Sequence, residues 1–228
     1  MIKYRNQKIK PLAILLFSCL TFFIMAFSAY VAQRTADFAF EGLLWTLTLA
    51  GLAIPVHIFA KKREYLYIVA WAMNTVGIGM GISSYYLDSE TTLVIGEMLC
   101  AVAISCVVMV LVCLLLYKFP QKKKLLIIVF SVITALLAVA AIVFWIINGN
   151  VFFSFAFFCL VEAFVWLCIC GLTVGVPKRH ILRDISFGGF GIAITVGVIV
   201  LALITEDGAG LEFLEGAEIF GTTKKKKR

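Results

Sequence analysis

The chain has 228 residues, of which 63% are hydrophobic and 14% are charged, and its mean hydropathy is +1.06. Soluble domains carry about 25% charged residues, so this composition excludes an ordinary soluble enzyme or binding domain. It predicts an integral membrane protein whose main partner is the lipid bilayer. The net charge of +7 comes from small basic clusters between apolar runs. Because no basic face is interleaved with stacking aromatic residues, nucleic-acid binding is not expected.

Seven apolar runs follow one another along the chain, and each is long enough to cross a bilayer as a helix. Their predicted bounds are 12–32, 42–60, 65–87, 91–117, 125–147, 151–177 and 185–205. The sequence therefore predicts an all-α membrane protein with one domain, a bundle of seven transmembrane helices. The tail 206–228 is first acidic and then basic. It is too polar for another span, and its spaced leucines favour a short interfacial helix.

The basic residues indicate how the helices are oriented. The N-terminal segment and the loops on its side of the membrane hold fourteen Lys and Arg residues, whereas the opposite loops hold only Arg34. The positive-inside rule then predicts an N-terminus inside and a C-terminus outside the cell membrane. Lys225 and Lys226 stand where a dilysine retrieval signal would stand. A cytosolic tail would make the endoplasmic reticulum membrane the alternative location.

Small residues recur at helical spacing in two of the runs, and such residues let helix backbones approach closely in lipid. In the third run the row is Ala70, Asn74, Gly77, Gly81 and Ser84. In the seventh run it is Gly188, Gly189 and Gly191. We expect both rows to pack against neighbouring helices, and a homo- or hetero-oligomer would use the same faces.

Ionisable and strongly polar side chains inside the runs are the candidates for function, because a charged one costs about 2.5–3.5 kcal/mol at the centre of a bilayer. Glu162 lies near the middle of the sixth run, and no Lys or Arg is expected at membrane depth to neutralise it. It must then carry a proton, bind a cation or face water. Counted from the outer end of each span, Glu97 lies about 8 Å deep, Glu162 about 16 Å, Asn74 about 20 Å and His57 about 22 Å.

This descending order suggests a relay for protons or a site for a cation, formed by Glu97, Glu162 and His57 with help from Asn74. The alternative is that Glu162 is neutral and bonded to a neighbouring helix, while Glu97 and His57 lie near the membrane interfaces. A relay predicts that Glu162 faces a water-accessible cavity, with Asn74 or Glu97 within one helix diameter.

Motifs for cofactors and for catalysis are missing. All seven cysteines fall within the apolar runs, and none forms a C-x-x-C pair or lies near a histidine at zinc-ligand spacing. The chain contains neither H-E-x-x-H nor G-x-S-x-G. We therefore expect no cofactor, no metal site and no enzyme activity.

The preferred function is a small permease or transporter for a small solute or ion, with proton or cation coupling through Glu162. The alternative is a membrane sensor, assembly factor or scaffold that transports nothing and acts through helix packing at its small-residue faces.

Overall fold

A computed structural model describes residues 2–36, 39–88, 92–148, 155–174, 176 and 180–206. Over these residues the chain is all-helical, with no strand. The helices are α1 (Ile2–Thr35), α2 (Ala39–Ala60), α3 (Leu66–Asp88), α4 (Ile95–Lys118), α5 (Lys123–Asn148), α6 (Phe155–Thr173) and α7 (Ile181–Glu206), with a 3-10 turn at Pro120–Lys122. The tail from residue 207 and the first residues of the predicted sixth span, 151–154, lie outside the described residues.

Five of these helices are long and apolar enough to cross a membrane: α1, α2, α3, α4 and α6. The predicted all-α fold is confirmed, and the predicted ends mostly lie within four residues of the observed ones. Helix α1 is the exception, because it begins at Ile2 and continues through Pro11. Pro11 is therefore inside the helix and not its first residue. The preceding segment is rich in Lys, Arg and Gln, which have high helix propensity and extend the helix towards the N-terminus.

Helix α3 lies at the centre of the bundle, where it packs against α1, α2 and α7. Its membrane-spanning window is 61% buried, more than that of any other candidate span. Glycines permit the closest approaches. A methyl group at Gly79 would overlap the hydroxyl of Ser28 and would lie 2.5 Å from the carbonyl oxygen of Met25 on α1. A methyl group at Gly42 of α2 would overlap the carbonyl oxygen of Met80 in the same way.

The contact between α2 and α3 is centred on Thr46. Its hydroxyl lies 2.8 Å from the carbonyl oxygen of Gly42 and 2.7 Å from that of Gly77. Methyl groups at Gly77 and Gly81 would lie 3.5 Å and 2.9 Å from atoms of Thr46. The small row of the third run is therefore in contact with α2 of the same chain.

The glycines of α7 face different surroundings. A methyl group at Gly188 would overlap Ile169 of α6, and one at Gly189 would lie 3.8 Å from Asn74 Cβ on α3. Gly191 is exposed, and a methyl group there would meet no atom within 4 Å. Gly188 and Gly189 therefore pack against helices of this bundle, whereas Gly191 lies on its surface.

Each helix runs opposite to the one before it, as the order of contacts along each pair shows. Contacts run in parallel order between α1 and α3 (Thr21–Trp71, Met25–Gly79), between α3 and α7 (Asn74–Gly189, Gly81–Val196) and between α4 and α6 (Ser105–Cys159, Cys113–Cys170). They run in antiparallel order between α2 and α3 (Thr46–Gly77, His57–Tyr67) and between α5 and α6 (Ile127–Gly171, Lys123–Val174). Side chains from α1 and α4 also meet in antiparallel order, since residues 11–15 lie beside 113–117 and residues 23–30 lie beside 95–102.

Polar contacts hold both ends of the bundle. At one end Lys10 and Lys123 donate hydrogen bonds of 2.5 Å to the carbonyl oxygens of Val176 and Val174, which follow α6. A cation is favourable there, because the C-terminal end of a helix carries partial negative charge. At the other end the side-chain oxygen of Gln33 accepts a bond from the backbone N–H just before α4 at 2.8 Å.

Candidate polar site in the bundle interior

Helix α6 has one continuous buried face, and Glu162 lies in its middle. The members recur every three or four residues: Phe155, Phe158, Cys159, Glu162, Ala163, Trp166, Cys170 and Thr173. The side chain of Glu162 is only 1% exposed. The carboxyl group therefore faces the interior of the bundle and not the surface that lipid would cover.

The two oxygens of Glu162 have different surroundings. The indole Nε1–H of Trp166, one turn further along α6, donates a hydrogen bond of 2.9 Å to Oε1. Oε2 is buried and has no hydrogen-bond partner among the described residues. A buried polar atom without a partner costs about 1–3 kcal/mol. Oε2 is therefore the polar atom of this site that a proton or a polar ligand atom would satisfy.

One turn before Glu162, α6 contacts α4 and α3. The thiol of Cys159 lies beside Ser105 of α4, and the ring of Phe158 packs edge-on against Tyr85 of α3 at 6.0 Å between centroids. The residues of α6 that precede Glu162 are thus covered by α4 and α3. Nothing in these contacts supplies a cation to balance the carboxylate.

Asn74 is the second buried side chain that has unpartnered polar atoms. It is fully buried on α3, and neither its amide nitrogen nor its amide oxygen has a partner among the described residues. Gly189 of α7 faces Asn74, while the adjacent Gly188 faces Ile169 and Val165 of α6. This glycine pair therefore lies between α3 and α6. Asn74 and Glu162 are then separated by about 5–10 Å along the bundle axis, and no hydrogen bond joins them.

His57 lies near the C-terminal end of α2, and both nitrogens of its ring are in hydrogen bonds. Its Nδ1 is 2.7 Å from the carbonyl oxygen of Ala53, and its Nε2 is 2.7 Å from the hydroxyl of Ser186 on α7. A carbonyl only accepts, so Nδ1–H donates to Ala53, and Nε2 and the Ser186 hydroxyl share the second hydrogen bond. The rings of Phe187, Phe190 and Tyr67 surround it at 4.6, 5.9 and 6.3 Å. His57 thus links α2 to α7.

Glu97 lies in the first turn of α4 and is exposed. An acid is favourable at that position, because the N-terminal end of a helix carries partial positive charge. Ser105 lies at the same height along the bundle axis as Cys159. It is eight residues after Glu97 on α4, which is about 12 Å along the helix. The structure therefore buries both Glu162 and Asn74, with no hydrogen bond between them, and leaves Glu97 and His57 apart from them.

Two cavities lie along the seam between α1 and α4. One has a volume of about 300 Å³ and the other about 120 Å³, and their linings are apolar. Glu162 lines neither of them. In this conformation the carboxyl group is closed within packed helices.

Sequence reasoning did not single out Trp166, Cys159 or Ser105. Trp166 had a usable signal, because residues four apart in a helix lie on the same face and can bond to one another. Ser105 had none, since its contact depends on how α4 is rotated against α6.

No family model, no curated protein and no solved structure matches this chain. Among the residues that the structure describes, no group of three or more His, Cys, Asp or Glu side chains is placed to hold a metal ion.

Proposed function

We propose that this chain is a seven-span membrane transporter for a small polar solute, coupled to the binding of a proton by Glu162. The observation that carries the proposal is the buried Oε2 of Glu162, which has no partner among the described residues. An ionisable residue within a membrane bundle is costly, which makes it a candidate for an ion or solute pathway.

Helices α5 and α7 are the remaining two spans in this proposal. Each has 26 residues, which is about 39 Å of helix and exceeds the roughly 30 Å of a bilayer core. The alternating directions of the helices agree with successive crossings. The basic loops then lie together at the end that holds the N-terminus, which we place inside, with the C-terminus outside.

A proton suits Glu162 better than a metal or alkali cation. Hard cations need several oxygen ligands at once. Among the described residues, the hydrogen-bonded neighbour of Glu162 is the indole N–H of Trp166, which is a donor and repels a cation. A proton needs no further ligand, so Glu162 alone can bind it. Asn74 offers both a donor and an acceptor, and we assign it to a polar group of the solute.

The described conformation is the closed one in this proposal, because Glu162 and Asn74 are both buried. Transport then requires that water reach the two side chains from each side in turn. Helices α6 and α7 could move against one another during this change, since side chains of α6 pack there against Gly188, which has no side chain to interlock with them.

The scaffold alternative is less well supported. Its surfaces were the small residues of the third and seventh runs; of these Gly191 is exposed, whereas Gly77 and Gly81 lie against Thr46 of the same chain. They are therefore covered by α2 and not offered to another protein.

Proton flux into proteoliposomes tests the proposal. A pH-sensitive dye inside the vesicles would report flux under an imposed gradient for the wild type, Glu162→Gln and the matched control Glu97→Gln. Glutamine has the shape of glutamate, but its amide does not take up a proton at the pH of the assay. We therefore expect the proton flux of Glu162→Gln to be at least about tenfold lower than that of the wild type. Glu97→Gln, which changes an exposed acid, should retain it. Equal flux in wild type and Glu162→Gln, or no flux in either, contradicts the proposal.

Access of water provides a second, independent readout. Cys159 lies one turn from Glu162 and is buried, so a variant that keeps only this cysteine reports whether the site opens. A membrane-impermeant thiol reagent should label it under flux conditions. A matched variant that keeps only Cys170, which faces Cys113, should stay unlabelled. A Cys159 that never reacts would mean that Glu162 belongs to a permanently dry seam.

A further inference from the structure

We propose that the groove between α1 and α4 binds one acyl chain of phosphatidylethanolamine, whose headgroup lies between Arg34 and Glu97. This site is separate from Glu162, and it does not depend on transport.

The groove has the size and the lining of an acyl-chain site. Its volume is about 300 Å³, many times the roughly 10–15 Å³ that holds one water, so a chain of several carbon atoms fits. The lining residues are Phe23, Ala26, Phe27, Tyr30, Ile95, Met98, Leu99 and Val102. The smaller cavity of about 120 Å³ continues the same seam towards the other end of the two helices. A chain entering beside Tyr30 would therefore lie along the seam.

Other occupants fit this groove less well. A polar solute would find no hydrogen-bonding side chain in the lining except the hydroxyl of Tyr30. A partner helix is about 10–12 Å wide, so a groove of this volume would receive only a side chain or two and would leave the rest of the helix outside.

Charged side chains at one end of the groove identify the headgroup. The guanidinium of Arg34 lies 4.4 Å above the ring of Tyr30, which lines the groove. Glu97 is exposed on the first turn of α4, between the lining residues Ile95 and Met98. The groove therefore ends beside one cation and one anion. Arginine pairs well with a phosphate, and a carboxylate pairs with a primary ammonium group.

This pairing favours a zwitterionic lipid with a primary amine over an anionic lipid. Arg34, in the last turn of α1, is the cation that the described residues place beside the groove, and Glu97 is the anion. An anionic headgroup without an amine would therefore be repelled by Glu97 while it pairs with Arg34. The ammonium group of phosphatidylethanolamine removes that repulsion.

Native mass spectrometry of the full chain in detergent tests the proposal. The protein would be titrated with phosphatidylethanolamine, phosphatidylglycerol and phosphatidylcholine of matched acyl chains. We expect one phosphatidylethanolamine per chain, bound about tenfold more tightly than the other two lipids, since a charge-assisted hydrogen bond is lost in each of those. Arg34→Gln should weaken this binding about tenfold. Arg63→Gln is the matched control, because Arg63 is exposed at the opposite end, and it should change nothing.

A second pair of variants tests the groove itself. Ala26→Phe places a ring in the groove and should abolish specific binding, whereas Ala103→Phe adds the same ring to an exposed position of α4 and should not. Should Ala26→Phe fail to fold, Leu99→Trp at the exposed rim replaces it. Equal affinity for all three lipids, tighter binding of phosphatidylglycerol, or unchanged binding in the groove variants would overturn the proposal. A dimer that is lost in these variants would overturn it too, because a second chain would then occupy the groove.

Discussion

Replacing Trp166 with phenylalanine removes the donor that bonds Oε1 of Glu162, so that neither carboxyl oxygen has a partner among the described residues. We expect this change to destabilise the bundle by about 1–3 kcal/mol for the second orphaned oxygen, in addition to the loss of ring volume. Glu162→Met alone leaves the indole N–H unpaired, but it also removes a polar group whose burial in a membrane costs about 2.5–3.5 kcal/mol. The single Glu162→Met variant should therefore be about as stable as the wild type.

The double variant separates these contributions. With both polar groups replaced by apolar ones, nothing is left unpaired, and such a replacement is nearly neutral apart from volume. Glu162→Met/Trp166→Phe should then be more stable than Trp166→Phe alone by about 1–3 kcal/mol. The volume lost at Trp166 is the same in both backgrounds and cancels in the cycle.

Reversible unfolding in mixed micelles of SDS and a mild detergent measures this cycle, with circular dichroism as the signal because the tryptophan itself is changed. Glu97→Met combined with Trp166→Phe is the matched control, and the two changes should be additive within about 0.5 kcal/mol. Additive effects at Glu162 and Trp166 would show that the two side chains do not interact. A Glu162→Met variant less stable than wild type by more than about 3 kcal/mol would make Glu162 a structural member of the core and refute the functional reasoning.

Three further predictions concern the packing of the helices. Because the thiols of Cys113 and Cys170 lie side by side, mild oxidation should join α4 to α6. The two halves that trypsin produces at the basic loop 118–124 should then stay together on a non-reducing gel unless Cys170 is changed to serine. Gly79→Ala should destabilise the bundle by about 1–3 kcal/mol through overpacking, while Gly51→Ala, at an open position, should not be destabilising; equal unfolding midpoints would contradict the α1–α3 contact. Ser186→Ala should cost about 0.6 kcal/mol and at most about 1.7 kcal/mol, the mean and the maximum for hydrogen bonds between membrane helices. An unchanged midpoint would mean that the bond to the histidine of α2 contributes nothing.

The helices were predictable from the sequence for a simple reason. In lipid every backbone polar group must be bonded within the chain, so a long apolar run has little alternative to a helix. The run 125–147 corresponds in this way to α5, Lys123–Asn148. The start of α1 was not predictable from hydropathy, because residues 2–10 are polar and are helical through their own propensity.

The rotation of each helix was harder to predict. In a soluble protein the polar face of a helix indicates which side is buried, but here both the core and the lipid-facing surface are apolar. Leu12 and Ile14 of α1 illustrate this, since the first is 66% exposed and the second is fully buried. Small residues were the remaining signal, and they were uneven guides. Gly77 lies against α2, whereas Gly191 is exposed.

The candidate site was predictable in part for the same reason. An acid in the middle of an apolar run is conspicuous, and Glu162 is indeed buried. Its bond to Trp166 and its contacts through Cys159 depend on side-chain direction and on neighbouring helices, which hydropathy does not report. The placement of His57 against Ser186 joins residues 129 positions apart, and no local pattern connects them.

The two orphaned side chains are more informative together than separately. Glu162 and Asn74 leave three buried atoms without partners among the described residues, and these cost together about 3–9 kcal/mol. A typical domain is stable by only about 5–15 kcal/mol, so this cost is a large share of what holds such a bundle together. A single polar solute bound beside a protonated Glu162 would satisfy atoms on both α3 and α6. Gly188 packs against Ile169 of α6 and Gly189 packs against Trp71 and Asn74 of α3, so α7 contacts both of the helices that carry these atoms.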